Sequence, residues 1–179
     1  MTILLFGVSN VGKTTVGRLL AHRLGYHFYD LDEEVKKYYD MSLEEFVNRG
    51  TLKERDAMRG RVIDKVMESG EDKVFAISPI SYPEYFVCHL QGDDVLAVDL
   101  LDTPEHIFER LVFSDENDEI YEDSEYKNAH RDYYMSEIRE DIIFYERSYS
   151  SVANKFFVNN DTPETVVNRM VREYHLDVL

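Results

Sequence analysis

A short glycine-rich segment near the start of the chain has the residue types and spacing of a phosphate-binding loop. Residues 7–14 read GVSNVGKT and satisfy the pattern G-x-x-x-x-G-K-[ST], with an apolar run before them and a helical pattern after. Converging backbone N–H groups would bind phosphate oxygens, the lysine would reach the β and γ phosphates, and the threonine hydroxyl would hold Mg²⁺. A glycine-containing turn that binds nothing is the alternative. The predicted nucleotide-binding residues are Gly7, Ser9, Asn10, Val11, Gly12, Lys13, Thr14 and Thr15.

Two acidic residues after the next apolar segment are candidates for chemistry on a substrate hydroxyl. Asp30 and Asp32 follow the predicted strand Tyr26–Tyr29. Open α/β sheets bind ligands beyond the carboxyl ends of their strands. One carboxylate would therefore orient magnesium-bound water, and the other would accept a proton or a hydrogen bond from the hydroxyl. The alternative is a pair of exposed carboxylates that cap the following helix.

The elements that must position these residues alternate as in a parallel α/β fold. Short apolar segments predict strands, and the longer patterns between them predict crossover helices. Ser42 with Glu45, and Thr51 with Glu54, have the capping-box spacing of helix starts, and two Thr-Pro pairs mark later helix starts. The predicted strands are Thr2–Phe6, Tyr26–Tyr29, Lys73–Ile77, Val95–Asp99 and Phe156–Val158.

The composition of the chain limits its partners and its location. Its 179 residues, a length typical of one domain, carry 20 Lys and Arg against 36 Asp and Glu, a net charge of −16. This charge argues against binding to nucleic acid or anionic membranes, which requires basic patches. No apolar stretch approaches the roughly 20 residues of a membrane-spanning helix. We expect a cytoplasmic protein in which the single cysteine, Cys88, is a small buried thiol and no histidine binds a metal.

The segment Ser114–Glu125 differs from the rest of the chain in its charge. It contains seven acidic residues and no Lys or Arg. Such a run predicts a mobile, solvated excursion, because its charges repel one another. The pattern that follows, about 126–150, predicts one long helix with a row of tyrosines, whose helical spacing favours packing over recognition.

With these features the chain resembles the shikimate kinase family, a group of small P-loop kinases. The resemblance rests on the runs GKTTVGR at 12–18, FYDLD at 28–32 and SLEEF at 42–46, followed by Gly50 and Arg55. It implies an α/β, three-layer P-loop kinase fold with a five-stranded parallel sheet flanked by helices. It also implies a single domain over 1–179, with a helical substrate-binding region at about 33–61 and a lid at about 114–130.

The resemblance also implies roles for individual residues. Asp32 would bind the acceptor's ring hydroxyls and act as base, while Asp30 would assist Thr14 in the magnesium shell. Arg55 would pair with the acceptor carboxylate, whose geometry suits a guanidinium, and Arg110 would lie against the adenine. The implied cofactors are ATP and Mg²⁺, and the implied acceptor is a small hydroxylated anion.

The sequence departs from the family pattern around the acceptor and in the lid. Ser-Pro-Ile at 78–80 replaces three glycines, so Ser78 becomes a candidate acceptor contact. Met58 replaces an acidic partner of the acceptor-binding arginine, and Tyr145 stands where a second such arginine is expected. The acidic run replaces a lid that carries arginine. Candidates by reach are Arg131 and Arg139 for the lid, and Arg139 and Arg147 for the acceptor.

The leading hypothesis is ATP-dependent transfer of the γ-phosphate to a hydroxyl of a small anionic metabolite, with shikimate as the best single name. Lys13 and magnesium would stabilise the transferring charge, and Asp32 would orient the attacking hydroxyl. Two alternatives stay open. One is a nucleoside or nucleotide kinase whose base stacks on the tyrosine-rich helix. The other is a nucleotide-binding regulatory module with weak or no transfer activity, which the acidic lid motivates.

Overall fold

The centre of the structure, a computed structural model that describes residues 1–115 and 117–178, is a five-stranded sheet. All its strand pairs are parallel, in the order β2-β3-β1-β4-β7. Two further short strands, β5 and β6, form an antiparallel hairpin. The strands are β1 (Thr2–Phe6), β2 (His27–Asp30), β3 (Lys73–Ala76), β4 (Val95–Leu101), β5 (Phe113–Ser114), β6 (Ile120–Tyr121) and β7 (Asn154–Phe157).

Helices connect the strands and begin at the predicted capping residues. The capping boxes at Ser42 and Thr51 are both formed, and each side-chain oxygen accepts the amide of the residue three positions later. Both Thr-Pro pairs also start helices, as predicted. The helices are α1 (Lys13–Leu24), α2 (Leu31–Tyr39), α3 (Leu43–Val47), α4 (Leu52–Met67), α5 (Pro104–Glu109), α6 (Ser124–Ala129), α7 (Arg131–Ser148) and α8 (Pro163–Glu173).

The hydrophobic core lies on both faces of the sheet, which gives three layers. On β1, Ile3 and Leu5 face the side covered by α1 and α8, whereas Leu4 and Phe6 face the side covered by α4. These four side chains are at most 1% exposed. Burial on both faces explains why the strand is continuously apolar, as is typical of parallel sheets.

Several predicted boundaries were wrong. The second strand starts at His27 and includes Asp30, the fourth continues to Leu101, and the fifth occupies Asn154–Phe157. The single long helix predicted at about 126–150 is two helices, α6 and α7, which meet at His130. Among the described residues no helix is both long and apolar enough to cross a bilayer.

Two further expectations are corrected. The acidic run, whose Glu116 lies outside the described residues, includes the β5–β6 hairpin rather than only a solvated excursion. Its turn forms because the Asp115 carboxylate accepts the amides of Asn117 and Glu119. Cys88 is exposed and not buried, because it lies on the outer side of a short 3₁₀ turn, Val87–Leu90.

Candidate active site

The backbone of the phosphate loop between β1 and α1 adopts conformations that favour glycine. Gly7 has φ +136°, and a Cβ there would lie 2.7 Å from the carbonyl oxygen of Leu100 on β4. Asn10 and Gly12 also have positive φ, at 61° and 111°. Glycine adopts such angles without the steric cost of a side chain, and asparagine tolerates the left-handed region. The loop thus has the backbone conformations that its glycines and asparagine permit. Helix α1 follows it directly and starts at Lys13.

Lys13 is buried within the loop that precedes it. Its Nζ donates hydrogen bonds of 2.8 Å to the carbonyls of Gly7 and Val8. Burial lowers the pKa of this ammonium to about 8, although the nearby carboxylates of Asp32 and Asp30 oppose the shift. The Lys13 ammonium thus lies at the start of α1, where a phosphate chain would approach.

Thr14 and Asp30 form the oxygen pair expected of a magnesium site. The Thr14 hydroxyl donates to one Asp30 carboxylate oxygen at 2.7 Å, and the other oxygen accepts the amide of Asp32 at 3.0 Å. Asp30 therefore caps α2 and also contacts the loop, so the two interpretations of this residue are compatible. Hydroxyl and carboxylate oxygens are ligands that Mg²⁺ prefers, and the pair fits that ion.

Asp32 lies in the first turn of α2 and faces the same space as the phosphate loop. Burial raises the pKa of its carboxyl, and the Asp30 carboxylate raises it further. Ser78, Arg59 and Lys13 act in the opposite direction. A cavity of about 190 Å³ joins these groups, and it is lined by Ser9, Asn10, Lys13, Thr14, Asp30, Asp32, Ala76, Ser78 and Pro79.

A buried ion pair on α4, which was not predicted from the sequence, contains a guanidinium whose charge lowers the pKa of the Asp32 carboxyl, although Arg59 does not line the cavity. The Arg59 NH1 group donates to the Asp56 carboxylate at 2.9 Å, and its guanidinium lies 4.9 Å from the centre of the Phe46 ring. The Arg59 side chain is 11% exposed, and its Nε has no hydrogen-bond partner among the described residues. The i, i+3 spacing of an acid and a base on one predicted helix was the available signal.

The segment after β3 is shaped by side chains from other elements instead of by glycines. The Asp56 carboxylate accepts the amides of Ser81 and Tyr82, at 2.7 and 3.2 Å. The Tyr149 hydroxyl accepts the amide of Ile80 at 3.1 Å. Ser78 Oγ is buried, and although it influences the carboxyl of Asp32, it finds no partner at hydrogen-bond geometry in the described chain.

The two arginines predicted to contact the acceptor form their contacts outside the cavity described above. Arg55 is exposed, and its guanidinium donates to the carbonyls of Arg49 and Gly50 at the start of α4. Arg139 is exposed on α7 and pairs with Glu105 of α5 at 3.4 Å. Neither contact involves a residue that lines the cavity. Arg55 and Arg59 lie about one helical turn apart on α4, so their residue type is the same and only their position along the helix axis distinguishes them.

Arg110 lies at the opposite end of the phosphate loop. It donates to the carbonyl of Asn10 at 3.3 Å, to the Asn160 side chain at 3.0 Å and to the Asp102 carboxylate at 2.7 Å. Burial opposes ionisation of Asp102, but hydrogen bonds led by those from His106 and Arg110 hold its pKa below the usual value. Arg110 thus connects the loop to the segment between β7 and α8.

The predicted lid contacts the predicted substrate-binding region. Asp118, near the tip of the β5–β6 hairpin, accepts the amide of Leu43 at the start of α3 at 3.1 Å and lies 3.8 Å from Lys36 Nζ. Lys127 donates to backbone carbonyls at the end of α5, and the Arg131 guanidinium lies over the Phe108 ring at 4.5 Å. The acidic charge of the lid is therefore partly paired across the cleft.

The sheet order, the loop after β1 and the oxygen pair at the start of α2 together define a P-loop kinase fold. A family model described as shikimate kinase matches residues 9–175. The chain belongs to the shikimate kinase family, and the resemblance proposed from the sequence is confirmed.

Similar proteins agree with this assignment. A curated shikimate kinase from Bacillus pumilus is 40% identical over 63 residues, which cover 35% of this chain and 34% of that protein. The chain thus spans about a third of the length of the first curated relatives it matches. The solved shikimate kinase of Bacteroides thetaiotaomicron has a TM-score of 0.76 at 21% identity, covering 98% of both chains. That of Acinetobacter baumannii, in complex with shikimate, has a TM-score of 0.69 at 18% identity, covering 99% of this chain and 94% of that one. These structures confirm the predicted fold.

Proposed function

We propose that this chain transfers the γ-phosphate of ATP to a hydroxyl of shikimate or of a closely related hydroxylated acid. The observation that carries the proposal is the single cavity that joins Lys13 and Thr14 to Asp32. Phosphoryl transfer is catalysed mainly by positioning and by electrostatic stabilisation, so the cation and the acceptor base must face one space. The family membership and the shikimate bound in the Acinetobacter baumannii enzyme support the choice of acceptor.

The nucleotide would be held at the loop end of the cavity. Loop N–H groups and the start of α1 would bind the phosphates, and Lys13 would exchange its two carbonyl partners for the β and γ phosphate oxygens. Thr14 and Asp30 would hold Mg²⁺, which when bound neutralises phosphate charge. Arg110, beside Asn10 and Asn160, would lie against the adenine.

Asp32 would orient and deprotonate the acceptor hydroxyl. Its carboxylate accepts the hydroxyl proton as the acceptor oxygen forms a bond to the γ-phosphorus and the bond to the β–γ bridging oxygen breaks. The raised pKa of Asp32 favours this proton transfer, because a base with a pKa nearer the working pH holds the proton more readily. ADP and the phosphorylated acceptor are the products.

Arg59, rather than Arg55, would anchor the anionic group of the acceptor. Its guanidinium lies close enough to lower the pKa of Asp32, and its unpartnered Nε leaves hydrogen-bonding capacity for a ligand. Asp56 holds the guanidinium from behind, as an acidic partner of Arg55 would have done. Tyr145, whose pKa burial raises and which Arg59 influences, would line the same subsite. Ser78 would contact the acceptor from the segment after β3.

The larger organisation follows the family. The region at about 33–61, with α2, α3 and the first half of α4, would bind the acceptor, and the segment at about 114–130 would close over the nucleotide. The domain would span 1–179. We place the protein in the cytoplasm, where a single free thiol stays reduced.

A nucleotide-binding module with weak transfer is the second candidate. The observation that favours it is the composition of the lid, because the segment Ser114–Glu125 contains no arginine. The nearby Lys127 donates to the carbonyls of Glu109 and Leu111. An efficient kinase of this class uses a cation over the transferring phosphate.

The experiment is product detection with purified chain, Mg·ATP and a panel of shikimate, other hydroxy acids, sugars, nucleosides and nucleotides. We expect ADP release with shikimate together with a phosphorylated shikimate detected by ³¹P NMR. Lys13→Ala serves as the blank, and Lys37→Ala, an exposed lysine on α2, is the matched control.

The outcomes separate the hypotheses. Turnover with a nucleoside alone would establish the nucleoside kinase, and turnover with another acid would correct the acceptor. ATP binding without ADP release across the panel would favour the module. Absence of ATP binding would contradict both proposals.

A further inference from the structure

Three side chains with metal-ligating atoms converge outside the cleft, where the second half of α4 meets the 3₁₀ turn Val87–Leu90. Asp64, Cys88 and His89 each offer one donor atom, and these atoms all lie within 4.8 Å of one another. We propose that they form a zinc site with one position open to water, which reverses the expectation from the sequence that no histidine binds a metal. None of the three residues lines the cavity of the candidate active site, so this site is independent of the proposed function.

The backbone around these donors is held rigidly. Gly60, one helical turn before Asp64, packs so closely on the next segment that a Cβ would lie 3.0 Å from the Cβ of Tyr85. Phe86 at the start of the 3₁₀ turn is 1% exposed and packs against Phe6 of β1. A binding site whose scaffold is already ordered requires little reorganisation when the ion binds.

Two of the donor atoms are already in contact, and the third lies within 4.8 Å of both. His89 Nε2 lies 2.7 Å from an oxygen of Asp64, so the imidazole nitrogen is directed at the carboxylate. Bonds of 2.0–2.3 Å in tetrahedral geometry place neighbouring donors about 3.3–3.7 Å apart. Zinc binding would therefore lengthen the 2.7 Å contact by roughly 0.6–1.0 Å, which the 59% exposed Asp64 side chain can accommodate by rotation. The exposed thiol leaves access from solvent.

The donor chemistry selects zinc over magnesium. A thiolate and an imidazole are softer than the oxygen ligands that Mg²⁺ prefers, so the site differs in kind from Thr14 and Asp30. Binding ionises the thiol: the sulfur–zinc bond forms as the Cys88 proton leaves to solvent, with no change in oxidation state. The His89–Asp64 hydrogen bond explains two of these side chains without a metal, but it does not involve Cys88.

A bound ion would connect two parts of the molecule. The turn Val87–Leu90 follows the segment whose amides are held by Asp56, and Asp64 shares α4 with Asp56 and Arg59. Zinc would therefore link the segment after β3 to the helix that carries Asp56 and Arg59. We expect it to raise the melting temperature of the chain.

Cobalt titration of the reduced full chain tests the site, because a thiolate bound to Co²⁺ gives an intense near-ultraviolet charge-transfer absorption that carboxylates alone do not give. Excess Mg²⁺ occupies the many surface carboxylates. Zinc affinity is then measured by competition with a chromophoric chelator. The variants are Cys88→Ser, His89→Gln and Asp64→Asn, with Asp93→Asn as an exposed carboxylate outside the cluster.

We expect one equivalent of cobalt to give the charge-transfer band in the wild type and in Asp93→Asn, and Cys88→Ser to lose it. Loss of Cys88 or His89 should weaken zinc binding more than about 100-fold, since even an outer partner of a ligand typically contributes 10–100-fold. The absence of the band in the wild type would overturn the proposal. Equal zinc affinity in His89→Gln, Asp64→Asn and the wild type would also overturn it.

Discussion

The two ends of the cavity that joins Lys13 to Asp32 differ in how their residues are assembled. At the phosphate end, the loop and Lys13 come from one contiguous stretch, and the lysine binds the carbonyls of that same stretch. At the acceptor end, Asp32, Arg59 and Ser78 come from α2, α4 and the segment after β3. In the proposed function, phosphate binding relies on backbone N–H groups, which local sequence specifies, whereas acceptor binding relies on side chains that only packing brings together.

The two ends also differ in whether their glycines can be replaced by other residues. Gly7 has no room for a side chain beside Leu100. At the acceptor end, three expected glycines are replaced, and the segment is held by Asp56 and Tyr149. Buried side-chain acceptors thus supply the backbone restraint that glycine conformations supply elsewhere, at the cost of placing side chains near the ligand.

The largest effect is expected at the phosphate end. Lys13→Ala should lower kcat/KM about 1,000-fold, because removing one preorganised donor to developing charge typically costs 10²–10³-fold. Steady-state kinetics with Mg·ATP measure the loss, and circular dichroism checks the fold. Lys37→Ala should stay near wild type. Unchanged ATP affinity and turnover in Lys13→Ala would contradict the assignment of the loop.

The next largest effect should fall on turnover rather than on nucleotide binding. Asp32→Asn should lower kcat by about 100-fold or more, since a positioned general base contributes typically 10²–10⁴-fold, while ATP affinity changes little. In the wild type, kcat should fall as pH is lowered through a pKa above the ordinary aspartate value, because the carboxyl must be ionised to accept the proton. Asp40→Asn, an exposed change at the end of α2, is the control. An active Asp32→Asn enzyme would remove this residue from the chemistry.

A matched pair on α4 sharpens the comparison at the acceptor end. Arg59→Lys should raise the KM for the acid about 10- to 100-fold, because the fork geometry is lost and a hydrogen bond to a charged group contributes about 1.5–3 kcal/mol. Arg55→Lys should leave that KM within about twofold, since the exposed Arg55 contacts only backbone carbonyls. The reverse pattern would restore Arg55 as the anchor.

A pH dependence of ATP binding follows from the lowered pKa of Lys13. The ammonium form binds phosphate, so binding raises its pKa above the value of about 8 in the free protein. Affinity is therefore full below pH 8 and falls as pH rises through 8, by up to about tenfold per unit of pKa shift. Calorimetry at pH 7 and 9 measures this. Lys13→Ala should lack the dependence, and a wild type that binds ATP equally at both pH values would contradict it.

The smallest effect is expected at the contact between the lid and α3. Asp118→Gly keeps the left-handed backbone, since φ is +61° there, and removes the acceptor of the Leu43 amide. Hydrogen exchange of that amide should rise about 3- to 10-fold, the equivalent of a hydrogen bond contributing about 0.5–1.5 kcal/mol. Equal exchange in both proteins would show that Asp118 does not hold the lid in solution.

The fold was largely predictable from the sequence, and the errors in that prediction have physical causes. Strands covered on both faces are continuously apolar, and side-chain caps mark helix starts, so the α/β alternation was readable. The break at His130 between α6 and α7 was not, because helical periodicity continues across it. The β5–β6 hairpin was missed because its turn depends on hydrogen bonds to one carboxylate within an acidic run.

In the candidate site, the structure brings into contact two residues that the sequence analysis assigned to one magnesium site. The contact between Thr14 and Asp30 was anticipated, because both lie at the carboxyl ends of strands in one sheet. Arg55 was placed at the acceptor by position in a pattern, yet the guanidinium near Asp32 belongs to Arg59, one turn later. Residues four positions apart share one face of a helix, so the two arginines differ mainly in their position along the axis of α4, which residue type does not determine.

The sequence by itself determined the phosphate loop, the order of strands and helices, and the family, because each depends on contiguous residue patterns. Only the tertiary structure decided which arginine acts on the carboxyl of Asp32, what replaces the missing glycines, and that Asp64 meets Cys88 and His89. These depend on the rotation and packing of α4 against distant segments, which is set by the burial of Val62, Ile63 and Val66 in the core and by the close contact of Gly60 with Tyr85.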